Sequence, residues 1–348
     1  MKKKNLISKL FVTAVLSLVL TACGSNSSTD TEEKGAETQT EATEENGENV
    51  VIRVANFSYA PWNAAFDVAY QKGFFDEVFA DDNVTIEIAN FENGPAVNEA
   101  FLSGSVDIVN GIGDQPIVTA LNVGQVDARI LSTASIMPNM GIIAGKDSGI
   151  SSVADLKGKK VSVSIGTSQH KALLYILQDN GLTVEDVELV NLSTSDTAIA
   201  ALSKKEVDAA FLNGYPFTTA EEKGIGTEIA AADAHPMYTY IEALGSFVDE
   251  HPDLVEKFLQ ATKKGEEFLK ENPEEGYQLI SELLEIEVDQ VKETTAPTDY
   301  SIQLTEEAIQ NLYDTSEFLV SQDLIKKKVE NETIDSHVSD IVKKSISQ

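Results

Sequence analysis

Cysteine is almost missing from this chain: Cys23 is the only one among 348 residues. A lone thiol forms no internal disulfide and no multi-thiolate metal site. Histidine is scarce as well. His170, His235, His251 and His337 are scattered without the spacing of a zinc site. Positive charge is in short supply. Against 57 Asp and Glu stand 26 Lys and Arg, a formal net charge of −31. That balance argues against nucleic acid as a partner and against an anionic membrane as a docking surface. The apolar stretch Leu10–Leu20 is shorter than the about 20 residues a membrane helix needs, and no later run is long enough. No Gly-x-Ser-x-Gly, no P-loop and no Ser-His-Asp set in a convincing context is present.

What is present begins with an address. Lys2, Lys3, Lys4 and Lys9 form a basic segment, and the apolar Leu10–Leu20 follows it. The order is that of a signal peptide, expected over 1–22. It ends in Leu20-Thr21-Ala22-Cys23, which resembles a bacterial lipobox, with Cys23 as the lipidated residue. With that thiol carrying diacylglycerol, no cysteine nucleophile remains. Residues 23–49 are rich in Ser, Thr, Glu and Gly with almost no apolar side chain. Such a segment cannot offset its ordering entropy and is expected to be a flexible tether.

The remainder, about 50 to 348, is long enough for two domains. Val50–Ala55 is a β-branched run and predicts a strand. Pro61 opens a helical stretch to Lys72, and Gly73 stops it. Strands are expected at 84–89, 106–109 and 129–133, with helices opened by Pro95 and Pro116 between them. The β-α alternation restarts after 140. Strands are expected at 161–165, 187–191 and 207–212, with helices after Ser168 and Thr194. This is the pattern of doubly wound α/β layers. From Phe247 on, three helices are expected, at 252–271, 273–284 and 306–319. Leu254, Phe258, Ala261 and Phe268 mark the core-facing stripe of the first.

Several stretches together resemble a known family. They are Phe91-Glu92-Asn93-Gly94-Pro95, Ala100–Asp107, Gly113-Asp114-Gln115-Pro116, Ser151–Val163, Gly166-Thr167-Ser168-Gln169-His170, Val207–Ala210, Tyr215-Pro216 and His251–Val255. In this order and spacing they are similar to the substrate-binding proteins for nitrate, taurine and aliphatic sulfonates. Binders of thiamine-pyrimidine precursors are close relatives. The resemblance implies a two-lobed α/β fold of periplasmic-binding-protein type II, with a hinge and a ligand cleft between the lobes. Lobe one would hold 50–142 plus 239–348, and lobe two 143–238. It further implies a monomeric solute-binding component of an ABC importer, without cofactor and not an enzyme. The protein would sit on the outer face of the cell membrane, held by the lipid on Cys23, and deliver a small-molecule ligand to a permease with its ATPase.

Ligands of open α/β sheets sit beyond the carboxyl ends of strands. Three strand ends qualify on that ground. Gly166-Thr167-Ser168-Gln169-His170 opens a helix whose free N–H groups and dipole suit an anion. Ser168 is either a cap alone or also a ligand contact, and His170 either a surface residue or a contact. Gly113, Asp114 and Gln115 form the second turn, where Asp114 is an N-cap or a contact. Tyr59, Trp62 and Asn63 form the third, where Trp62 walls the cleft or lies buried under the following helix. Asn213 and Tyr215 end a strand in lobe two. Sulfonate-type relatives often carry Trp-Asp-Pro-Tyr there, so Asn213-Gly214 weakens the case for taurine. The expected ligand is a small oxyanion such as an aliphatic sulfonate. The alternatives are a pyrimidine or other heterocycle, or a fold-sharing enzyme.

Overall fold

A computed structural model describes residues 49–57, 61–124 and 126–341. The expected signal peptide, Cys23 and the tether up to residue 48 lie outside them. The strand β1 (Val50–Phe57) leads through a 3-10 turn at Pro61–Asn63 into α1 (Ala64–Gln71) and α2 (Phe74–Val78). Then come β2 (Val84–Phe91), α3 (Gly94–Ser103), β3 (Ile108–Gly113), α4 (Asp114–Val123) and β4 (Ala128–Met137). The middle of the chain is β5 (Met140–Gly145), β6 (Lys160–Val163), α5 (Ser168–Asp179), β7 (Glu188–Asn191) and α6 (Ser195–Ser203). It continues with β8 (Ala209–Asn213), α7 (Tyr215–Thr218), β9 (Gly226–Ala231) and β10 (Met237–Leu244). The rest is helical: α8 (Gly245–Glu250), α9 (Pro252–Glu271), α10 (Pro273–Leu284), α11 (Val288–Thr295), α12 (Glu306–Ser321) and α13 (Asn331–His337).

The strands form two five-stranded sheets. Sheet one runs β2-β1-β3-β10-β4 and sheet two β7-β6-β8-β5-β9. Within each, a parallel trio is joined by one antiparallel strand: β10 in sheet one and β5 in sheet two. The direction follows from the chain path. Strand β4 ends at the same edge as the other parallel strands of its sheet. The chain passes through Pro138 and Asn139 and enters sheet two from that edge, so β5 must run backwards. The return between β9 and β10, over 232–236, repeats the geometry. Both passages therefore lie at the carboxyl ends of the parallel strands, and those ends of the two sheets face each other across the passages. Sheet two begins with β5 at Met140, three residues ahead of the boundary expected for lobe two.

Each sheet has its own apolar core. Ile52, Val54, Ile108, Ile112 and Ile130 lie at the centre of the first, and Ile142, Val161, Leu173 and Leu177 at that of the second. Helix α9 closes over α1 and α2. Its Phe258 packs on Phe75 and Phe66, with ring centroids 5.2 and 5.9 Å apart. Gly265 lets the two backbones meet: a Cβ there would stand 2.0 Å from the carbonyl oxygen of Ala65. The C-terminal part ends on sheet one, where Val338 bridges Ile130 of β4. Helix α12 also reaches the other layer, because its Phe318 packs into the core of sheet two.

Candidate functional site

A cavity of about 80 Å³ lies between the carboxyl ends of the two sheets. Sheet one gives it Phe57 at the end of β1, Gly111 and Gly113 of β3, and Thr239 of the returning strand β10. Asn93 and Gly94 come from the start of α3. Sheet two gives it Ser164, Thr167 and Gln169 around the start of α5, and Ser193 after β7. Trp62 forms part of the wall. It is half-buried and packs against the cores of both sheets. Among the described residues no cationic side chain borders the cavity, and Glu92, exposed at its edge, is the one charged residue there.

The start of α5 is built to leave donors free. Thr167 is the N-cap residue in extended geometry, and its hydroxyl turns back to donate to the Ser164 carbonyl at 2.7 Å. The first intrahelical bond runs from the Lys171 N–H to the Thr167 carbonyl. The N–H groups of Ser168, Gln169 and His170 therefore have no acceptor one turn back. Ser168 is the first helical residue, not the cap. Its hydroxyl donates to the carboxylate of Asp114.

Asp114 is the hub of a buried network joining the two layers. It is fully buried and pairs with the Lys171 ammonium. Its other donors are the Gln115 N–H at 2.7 Å, Asn311 Nδ2 at 2.9 Å and Thr315 Oγ1 at 3.1 Å. Asn311 Nδ2 also reaches Tyr240 Oη at 3.0 Å, and that hydroxyl donates to the Ala308 carbonyl. Burial alone would raise the Asp114 carboxyl. The Lys171 ammonium and the hydrogen bonds from Lys171, Ser168 and Asn311 hold it below the usual carboxylate range. Of the two readings open for Asp114, N-cap or contact, the N-cap does not hold. Gly113 takes that position, and the carboxylate bridges α4, α5 and α12. Gly113 itself makes the close approach possible, since a Cβ there would lie 2.3 Å from Ser168 Oγ.

The residues expected at the site fall into separate groups. Trp62, Gly113, Thr167 and Gln169 come together at the cavity. Asp114 and Ser168 do not border it and are spent on each other. Gln115, Gly166 and His170 border a different, apolar recess. His170 is no surface residue: it is 2% exposed, and burial pushes its pKa down to about 4. Asn63 lies beneath the site, donating to Asn56 Oδ1 at 2.6 Å, and does not border the cavity. Asn213 accepts from Ser195 Oγ at 3.0 Å, and Tyr215 carries the Lys223 ammonium 4.1 Å above its ring. Neither borders the cavity. Tyr59 lies outside the described residues. Sequence reasoning missed Lys171, Asn311 and Thr315, whose partner is 57 to 201 residues away. Asn93 had a legible signal: Asn-Gly-Pro is a helix start, and its side chain accepts from the Ala96 N–H.

Residues 61–276 match the model of the family described as NMT1/THI5 like. The chain belongs to this family. It is 27% identical over 272 residues to a Bacillus subtilis protein named for binding aliphatic sulfonates, covering 76% of this chain and 80% of that one. It is 30% identical over 226 residues to a protein of Haemophilus influenzae named for thiamine biosynthesis, covering 63% of this chain and 68% of that one. Among solved structures, the alkanesulfonate-binding protein of Xanthomonas axonopodis pv. citri bound to MOPS superposes with a TM-score of 0.72. That match covers 84% of this chain and 99% of the other at 20% identity. The fold is accordingly the two-lobed type II fold of periplasmic binding proteins, with the cavity in the cleft between the lobes.

Proposed function

We propose that this chain is the extracytoplasmic solute-binding component of an ABC importer, and that it closes its two lobes on a small sulfonate. The observation that carries the reading is the start of α5. Its free N–H groups open the second lobe toward the cleft, opposite Trp62 on the first. A helix N-terminus offers an oxyanion both donors and a favourable dipole. Asn93, Ser164, Ser193 and Thr239 border the same cavity with neutral amide and hydroxyl groups. Such donors bind an anion at contact although the body carries a formal charge of −31. Glu92 puts one carboxylate at the cavity edge, although the acid expected at Gly214 is absent, so a sulfonate with a cationic group stays among the candidates.

Closure is the mechanism this fold offers. The moving units are the lobes, and the passages at 138–139 and 232–236 are the hinge. Contacts to both lobes exist only in the closed state, so the ligand shifts the population toward it. The Asp114–Lys171 pair is a contact of that kind. We read the Cys23 lipid as the anchor that keeps the protein near its permease. We read the chain as a binder rather than a catalyst, in line with similar proteins named for binding sulfonates. A thermal-shift screen over alkanesulfonates, taurine, sulfate, nitrate and pyrimidines tests the reading. A ligand at 100 times its Kd adds about 2.7 kcal/mol of stability. Sulfonates are expected to raise the melting temperature. A rise with pyrimidines alone would transfer the site to heterocyclic solutes.

A further inference from the structure

A second recess, of about 340 Å³, shares the Pro116 ring with the cleft but is otherwise lined by different residues. Its walls come from α3 and α4 on lobe one and from the β6–α5 turn on lobe two. Four large apolar side chains gather there while staying exposed: Leu102, Val123, Ile165 and Leu324. Among the described residues only Tyr70 and Leu283 are comparably exposed, so this concentration is not the scatter of an ordinary surface. Among the described residues no charged side chain borders the recess. An anion meant for the cleft has nothing to hold it here.

Two polar groups border it with atoms left over. His170 is 2% exposed and neither of its ring nitrogens has a hydrogen-bond partner. Gln115 is 3% exposed and its Oε1 has none either. Buried polar atoms are normally paired, and leaving them unpaired is costly. Burial keeps the imidazole neutral near pH 7. A neutral imidazole has one N–H to give and one lone pair to receive. These atoms are themselves buried, so an occupant reaches them only with a turn of the imidazole or the amide.

We propose that this recess is a second ligand site, for a small neutral molecule with an apolar ring or chain and a hydroxyl-like group. The apolar body covers Leu102, Val123, Ile165 and Leu324, and the hydroxyl pairs with His170 and Gln115. The site is distinct from the sulfonate cleft and does not depend on what the cleft binds. Because its walls come from both lobes, an occupant also favours their closed arrangement.

The test uses the full chain labelled with 15N-histidine, titrated with phenol and, separately, with benzene. Four histidines give few signals, so each can be followed. Phenol is expected to shift the His170 ring signals saturably, leave the other three in place, and bind at least tenfold more tightly than benzene. Thr119→Trp, on the face of α4 that borders the recess, should fill it and abolish the shift. Should that variant fail to fold, Val123→Glu at an exposed position should weaken phenol binding more than tenfold. No saturable shift, equal affinity for phenol and benzene, or unchanged binding in a folded variant overturns the proposal.

Discussion

Asp114 shows how much one side chain does when its partners come from three helices. Removing one partner of a buried ion pair costs about 3–5 kcal/mol, because the other charge is left alone. Asp114→Asn keeps the shape and strands the Lys171 ammonium. The variant is expected to favour the open form, with weaker ligand binding and a larger radius of gyration in X-ray scattering. Wild-type affinity and size would show that the pair does not hold the lobes. Trp62 gives a second residue-level prediction. Ligand addition should shift its emission, and no other tryptophan contributes. Trp62→Phe should remove the shift and keep most of the affinity. A flat titration with a ligand proven by calorimetry would take Trp62 off the site.

Three buried groups set the pH dependence at the same scale. Burial raises Asp67 to about 7, partly offset by the Asn56 hydrogen bond, and raises Glu242 to about 8. Each contributes stability that is complete below its unfolded pKa and lost as pH rises through the folded value. His170 has the opposite sign. Its folded pKa of about 4 favours the folded state above the unfolded value near 6.5, and that contribution is lost as pH falls. Between pH 5.5 and 7.5 the folded chain holds more of these protons than the unfolded one. Stability should fall as pH rises, by on the order of 1.4 kcal/mol per unit for a net proton. Melting temperatures across this range check the slope, and Glu242→Gln should flatten it. A melting temperature that climbs with pH would contradict the assignment.

Elements were legible where their signals are local. Pro252 and Pro273 open α9 and α10, and the apolar spacing carries both helices to the ends expected, Glu271 and Leu284. The stripe holds in its middle, where Phe258 and Ala261 are fully buried, but Leu254 and Phe268 are half-buried and Val255 and Leu269 take the core positions beside them. Strand β10 was missed. Its consecutive residues Thr239 to Ala243 are all buried, so both its faces are covered and the alternation that marks a half-exposed strand is absent. Thr239 and Glu242 inside it add polarity where a buried strand is normally apolar. The α9–α1 contact gives the prediction for this scale. Gly265→Ala forces a methyl against the Ala65 carbonyl and should cost about 1–3 kcal/mol. A chemical melt of the variant reads it directly, and an unchanged midpoint would mean the two helices are not packed this closely.

At the scale of the whole molecule, the two-lobed plan could be read from β-α alternation that stops and restarts near residue 140. What could not be read is how the turns meet. Gly113–Gln115 and Gly166–His170 were each recognised as strand-to-helix turns. Their mutual contact through Asp114, Ser168 and Lys171 depends on the second lobe being brought up against the first. That contact consumes two of the expected ligand residues and turns others toward a separate recess. What remains for the cleft is a ring of neutral donors around the start of α5, with Trp62 across from it. The central claim is that this ring holds a sulfonate. Isothermal titration of the protein with ethanesulfonate tests it most directly. One site per chain is expected, with a Kd of about 10 μM or tighter, near −7 kcal/mol. No heat beyond dilution at millimolar ethanesulfonate, from protein shown to be folded, would contradict it.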